Sequence, residues 1–310
     1  MLKKISSLHL LGILAVLILI YFGMEYFGGK SRSKSFREEL VEIDTAKVSK
    51  ILIDSQGEML DLNKEQGQWK VSIGNGNYAG AQNSSIRNAL SSLERIKPSR
   101  IVAKDPSKRK EYQVDSAGTR VQVFEGNDAS LDLVIGRFGV QGQRSFFTYV
   151  RLYDENEIYA ADNFMGISFG TEASDYRNKQ VLSVTTDSIS EIRFNYPGDS
   201  AFILQNANSL WVVGTQTADS ASIASYLSDI RYVNNSEFID DVPATALVSP
   251  TLSMVITEKN KPEITVKAFQ HPIHKWIINS SLNPDSYFSG EEIFSELFVP
   301  KQQLLTFSAE

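Results

Sequence analysis

The residues of this chain with the strongest claim to chemistry are Gly166-Ile167-Ser168-Phe169-Gly170, which carry the Gly-x-Ser-x-Gly spacing of a hydrolase nucleophile elbow. In such a site a strained strand-to-helix turn presents the serine hydroxyl, a histidine takes its proton and a carboxylate orients the histidine. Asp240 or Asp241 and His271 or His274 follow in the chain order that α/β-hydrolases use. The context points the other way. An elbow needs a buried strand before the serine and a long helix after it, within a mainly parallel sheet, whereas Thr171 to Tyr176 is short and polar and its surroundings read as hairpins. A glycine-rich loop between strands is therefore expected at Ser168, and serine hydrolysis is only the second alternative function.

Two other motifs carry less. His271-Pro272-Ile273-His274 pairs two histidines, but the proline breaks a helix and no third ligand stands at a metal-site spacing. Gly74-Asn75-Gly76-Asn77-Tyr78-Ala79-Gly80 lacks the lysine and spacing of a P-loop and predicts a turn ahead of a helix. Cysteine is absent, which removes disulfides, thiolate metal sites and cysteine nucleophiles. No catalytic, metal or cofactor-binding residue is expected, and the chain reads as a non-enzyme without a cofactor.

The elements that would hold any site begin with an apolar run. Ile5 to Met24 carry no formal charge and span about 30 Å as a helix, the thickness of a bilayer's hydrocarbon. Tyr21, Phe22, Tyr26 and Phe27 cluster at its far end, as at a membrane interface, and no small-x-small cleavage site follows. The expectation is a tail and single transmembrane helix over 1–29 and a basic collar and linker over 30–47, with the bilayer as partner through Ile5 to Met24. Charge counting alone slightly disfavours export. A long folded domain behind an N-terminal anchor nevertheless crosses with little regard to charge. The expected location is the inner membrane, with the N-terminus cytoplasmic and the body periplasmic. Beyond residue 37 stand 25 basic and 36 acidic residues, a net of −11, with no basic stripe, so nucleic acid is not expected as a partner.

The body repeats itself. Val48-Ser49-Lys50-Ile51-Leu52-Ile53-Asp54 matches Ile189-Ser190-Glu191-Ile192-Arg193-Phe194-Asn195, and Gln68-Trp69-Lys70-Val71 matches Leu210-Trp211-Val212-Val213. A helix follows each tryptophan strand, with Ile86, Leu90, Leu93 and Ile96 in one copy and Ile223, Leu227, Ile230 and Val233 in the other at helical spacing. Ser or Asp residues stand at both starts as caps, and the matched tryptophans predict core anchors. Alternating strands complete each copy. The fold class is α+β: two tandem modules of mostly antiparallel sheet with one main amphipathic helix each, over 48–182 and 189–310, joined near Ser183 to Ser188.

These paired strand-Trp-helix units, together with Tyr112-Gln113-Val114-Asp115 ahead of a strand and Tyr176-Arg177-Asn178-Lys179-Gln180-Val181-Leu182, resemble domain-of-unknown-function family 4340, a family of bacterial single-span envelope proteins. The second copy departs from the pattern, with Leu247-Val248-Ser249-Pro250 and Phe298-Val299-Pro300-Lys301-Gln302-Gln303-Leu304-Leu305 where the first keeps Tyr and Arg. The resemblance implies genes near gliding-type ABC-transporter components. The expected function is thus a non-catalytic, membrane-anchored accessory or scaffold subunit, with an ABC-transporter component as partner. The alternative is a periplasmic ligand- or glycan-binding protein with Tyr226, Tyr232, Trp276 and Tyr287 around a pocket between the modules. Asp-Ser/Thr triplets such as Asp44-Thr45-Ala46, Asp115-Ser116-Ala117 and Asp219-Ser220-Ala221 resemble an O-glycosylation acceptor, although Asp-Ser pairs equally begin turns and cap helices.

Overall fold

A computed structural model of the chain describes Arg37 and residues 39–305, apart from 143, 144, 208 and 209. The apolar run Ile5 to Met24 lies outside the described residues. Among the described residues no helix is long and apolar enough to cross a membrane.

Period-two alternation makes the strands of the first unit: in Val48–Ser55 (β1) Ile51 and Ile53 are fully buried while Lys50 and Asp54 face outward. Glu58–Glu65 (β2), Gln68–Ser72 (β3) and Tyr78–Gly80 (β4) follow as a meander whose first two turns, Gln56-Gly57 and Gln66-Gly67, have both residues at positive φ, as type I′ hairpins require. The helix Asn83–Glu94 (α1) comes next, then Pro98–Ala103 (β5), Thr119–Glu125 (β6), Asp128–Gln141 (β7), Ser145–Leu152 (β8) and Ile158–Asp162 (β9). They form one antiparallel sheet ordered β4-β3-β2-β1-β6-β7-β8-β9-β5. Ile86, Leu90 and Leu93 of α1 pack with Ile51, Leu62, Val71, Val121 and Leu133 in a single core, which the short helix Ala173–Tyr176 (α2) closes through Tyr176.

The second unit repeats that plan. Gln180–Ser183 (β10) leads to Ile189–Asn195 (β11), Phe202–Ala207 (β12), Leu210–Val213 (β13) and Gln216–Thr217 (β14), then the helix Ser220–Asp229 (α3) and Tyr232–Asn234 (β15). Leu252–Glu258 (β16), Ile264–His271 (β17), Lys275–Ser280 (β18), Asn283–Ser289 (β19) and the turn of helix Phe294–Leu297 (α4) complete it. Its sheet runs β14-β13-β12-β11-β16-β17-β18-β19, and Phe238 bridges to Phe288 where β5 pairs with β9 in the first unit. Even irregularities recur. The β1–β6 pair slips register between Val48 and Lys50, the β11–β16 pair between Ile189 and Glu191, and the hydroxyls of Ser49 and Ser190 donate at those bulges to the carbonyls of Phe124 and Thr257. The chain is thus mostly antiparallel sheet with few helices, an α+β fold.

Each unit opens earlier than its first long strand. Leu40 is buried in the first core with Val41 and Ile43 against it, as Val181, Leu182 and Val184 are in the second. A buried or half-buried glutamate ties both openings down: Glu125 Oε1 accepts the Asp44 N–H at 2.8 Å, and Glu258 Oε1 accepts the Thr185 N–H at 2.8 Å. Leu40, Val41 and Ile43, grouped by the sequence with the linker, therefore belong to the first core, and Val181 and Leu182 to the second. Capping differs between copies. Asp219 caps α3 by accepting from the Ser222 N–H at 2.8 Å, whereas α1 starts after Gln82, whose side chain makes no cap and whose N–H is taken by the Tyr176 carbonyl.

Leu40→Ala should cost about 2–5 kcal/mol in urea unfolding, the loss expected of a core leucine and not of a linker. Trp69, 8% exposed, should cost about 3–5 kcal/mol when cut to alanine, and the half-buried Trp211 clearly less. Burial pushes the Glu258 carboxyl up, yet Lys261 and the bonds from Thr185 and Ser188 outweigh it and hold its pKa below the ordinary value. That stability is present above the unfolded-state pKa and is lost as pH falls through the folded-state value, below about pH 5. Glu258→Gln should be less stable at neutral pH and lose less of its stability between about pH 5 and pH 3 than the parent, as followed by circular dichroism.

Candidate functional site

Ser168 stands at the end of a short 3-10 turn, Gly166–Ser168, and not between a strand and a long helix. The glycines have packing reasons. A Cβ at Gly166 would lie 2.6 Å from Ile135 Cγ2 and 2.7 Å from Thr148 Cγ2, because this turn presses onto β7 and β8, and the Gly166 N–H donates to the buried Thr148 hydroxyl. A Cβ at Gly170 would meet Asp175 Cβ at 2.8 Å. The hollow beside Ser168 is lined from the first unit by Ser85, Ser92, Arg95 and Tyr176, with no histidine. Asp240, Asp241, His271 and His274 are all in the second unit. His274 Nε2 lies 3.0 Å from Asp241 Oδ2, His271 Nδ1 accepts from its own hairpin backbone, and Asp240 is engaged by Arg177. The structure does not assemble these residues around Ser168. Among the described residues no group of three or more His, Asp or Glu is placed to hold a metal ion.

The aromatic residues expected between the units are dispersed. Tyr226 is buried in the second core, its hydroxyl donating to the Leu297 carbonyl at 3.0 Å, and Trp276 stacks on Phe294 at 4.3 Å. Tyr287 packs beside Phe269, and Tyr232 stands 61% exposed. At the seam itself the buried Arg177 donates from Nη1 to Asp240 Oδ2 at 2.6 Å with its guanidinium 3.6 Å over the Phe238 ring. Asn283 Nδ2 donates to the Asn178 carbonyl at 2.6 Å, and Lys70 pairs with Asp285. The Asp-Ser/Thr triplets act locally: Asp44 and Asp115 each accept from an N–H two residues on, and Asp219 is the α3 cap.

Two grooves occupy equivalent places. In the first unit Trp69, Lys64, Arg87, Leu90 and the entry residues Thr45 and Ala46 line a hollow of about 400 Å³; in the second, Trp211, Asn206, Leu227, Arg231, Thr186 and Asp187 line one of about 490 Å³. The same strand, helix face and entry segment build both.

The most developed polar constellation lies on the other face of the first sheet. There the segment carrying Tyr112 and Val114 crosses β7 so closely that a Cβ at Gly136 would sit 2.5 Å from the Tyr112 carbonyl oxygen. Val114, Val134 and Ile158 form a small second core beneath it. Beside this core opens a cleft of about 920 Å³ lined by Arg109, Arg120, Arg151, Tyr153, Asp54 and Asp115. Arg120 makes a fork to Asp132, 2.8 Å from Nε and 2.6 Å from Nη2, and lies 3.3 Å over the Tyr153 ring. That pairing raises the Arg120 pKa. Arg151, only 3% exposed, donates to the carbonyls of Val114, Leu152, Tyr153 and Glu155, and its pKa is lowered by burial first and by the nearby Arg109 charge second. Arg109 reaches the Asn156 side chain at 2.8 Å, while its Nε is buried without a partner. Sequence motifs did not single out these arginines. The repeat holds the signal: by register, Arg120, Asp132, Arg151 and Tyr153 correspond to Ser253, Thr265, Asn279 and Ser281.

Ser168→Ala and His274→Ala should each change unfolding free energy by less than about 0.5 kcal/mol, since neither side chain supports a core, and thermal melts read this directly.

No curated protein and no solved structure matches the chain. A family model does, over residues 73–250, from the turn before β4 through the seam to the edge of β16. That is more than half of the chain and takes in both the Tyr112–Asp115 and Tyr176–Leu182 segments, so the protein belongs to the family described as Domain of unknown function (DUF4340).

Proposed function

We propose that this protein is a non-catalytic, membrane-anchored accessory or scaffold subunit, tethered through Ile5 to Met24 with its body on the periplasmic side of the inner membrane. The observation that carries the reading is the pair of equivalent grooves. A clamped two-unit body that offers the same strand-helix surface twice is suited to holding partner segments in fixed relation. The apolar run supports the tether, and the family resemblance supports a transporter component as the partner. A ligand-binding role is the second reading, favoured by the arginine-lined cleft of the first unit.

Protease added to spheroplasts should remove the body, and protection of the body would overturn the periplasmic assignment. Purification from detergent-solubilised membranes should bring down a stoichiometric membrane-protein partner. Arg87→Glu with Arg231→Glu, both exposed on the groove rims, should abolish that association while leaving the melting temperature within about 2 °C of the parent. Recovery of the chain alone under gentle solubilisation, or a partner retained by the double variant, would sink the scaffold reading.

A further inference from the structure

We propose that the cleft of the first unit binds a carboxylate-bearing saccharide, a uronate, with Arg109 and Arg151 facing the carboxylate. Three arginines meet there, and among the described residues only Arg120 makes an ion pair. Arg120 is matched by Asp132, whereas the bonds given by Arg151 go to backbone carbonyls and those given by Arg109 to a carbonyl and an amide oxygen. Two guanidinium groups thus sit side by side without an ion pair among the described residues, one of them almost wholly removed from water, and the nearest wall carboxylates, Asp54 and Asp115, make no direct contact with either. Like charges so placed repel, and an anion between them relieves both.

The second unit serves as an internal control. It folds the same ladder with Ser253, Thr265, Asn279 and Ser281 at the equivalent positions, so the sheet does not need Arg120, Asp132, Arg151 and Tyr153 in order to form. What the charged set adds is a polar cavity of a size that takes a small oligomer.

The remaining lining narrows the ligand. Asp54 and Asp115 each use one oxygen on a local turn, and Gln56 and Ser116 stand beside them. Carboxylates in the wall disfavour a doubly charged phosphate but accept hydrogen bonds from sugar hydroxyls. One negative charge surrounded by hydroxyls fits both halves of the cleft.

The test is isothermal titration calorimetry on the full chain in detergent, with the singly charged methyl α-D-galacturonide, the matched neutral methyl α-D-galactopyranoside and inorganic phosphate as separate titrants. Methyl α-D-galacturonide should bind, more weakly as salt rises, and methyl α-D-galactopyranoside should not. Arg109→Gln should weaken binding at least about tenfold, the loss of one charge-assisted contact. The double change Arg120→Ser with Asp132→Thr installs the second unit's own residues, removes a pair that is already neutral, and should keep the fold by thermal melt and weaken binding less than Arg109→Gln does. Binding of phosphate without methyl α-D-galacturonide, equal binding of the neutral sugar, binding untouched by Arg109→Gln, or no binding at all would each overturn the proposal.

Discussion

The structure turns on a short stretch of chain that must serve two cores at once. Tyr176 closes the first core and Val181 opens the second, and a chain of that length spans at most about 17 Å. The two units cannot part further than this, so the residues between them are forced into the seam. Arg177 is consequently buried, and a buried guanidinium demands a counter-charge and a polarisable surface. Asp240 and the face of Phe238 supply both from the second unit, and Phe238 in turn bridges to Phe288 on the sheet edge. Asn283 then caps the carbonyl of Asn178, leaving the seam fixed at several points.

The same economy appears at both unit openings. A chain entering a sheet from outside carries backbone donors that the ladder does not satisfy. Glu125 and Glu258 meet that need at equivalent positions, on the last residue of β6 and of β16, for Asp44 and Thr185. The second glutamate is the more buried and accordingly recruits Lys261 and Ser188 as well. Repetition of the solution in two copies with different neighbours identifies it as a condition of the fold and not an accident of one loop.

Much of this was legible in the sequence because the repeat writes the same periodicity twice. The tryptophan strands, the apolar faces of α1 and α3 and the bulged first strands all stand where alternation and helical spacing put them. The entry residues Leu40, Val41 and Ile43 were hidden by the basic residues before them, although Val181, Leu182 and Val184 offered the matching pattern. The α1 start departs from the capping pattern because Gln82 stands there and its N–H is taken by the Tyr176 carbonyl, far along the chain, which no local rule sees. The arginine cleft was invisible for a related reason. Its side chains come from separate stretches around residues 54, 109, 120 and 151, and only the register of β1, β6, β7 and β8 brings them together.

Place in the molecule ties the cleft to the tether. Arg37, the first described residue, pairs with Glu155 at 3.1 Å, and the carbonyl of Glu155 accepts from both Arg109 and Arg151. The cleft therefore adjoins the point where the chain enters the body. On the proposed anchoring, the twelve residues between Met24 and Arg37 reach about 40 Å at most, which holds this face of the first unit near the lipid surface. Lys30, Arg32, Lys34 and Arg37 fall within or next to that stretch of sequence, so on the same proposal the acidic body would meet the bilayer through a basic approach. On the same proposal, a ligand taken from the envelope side would be held within reach of a membrane partner, whereas the second unit carries Lys267 where Val134 lines the cleft and lacks the arginine set.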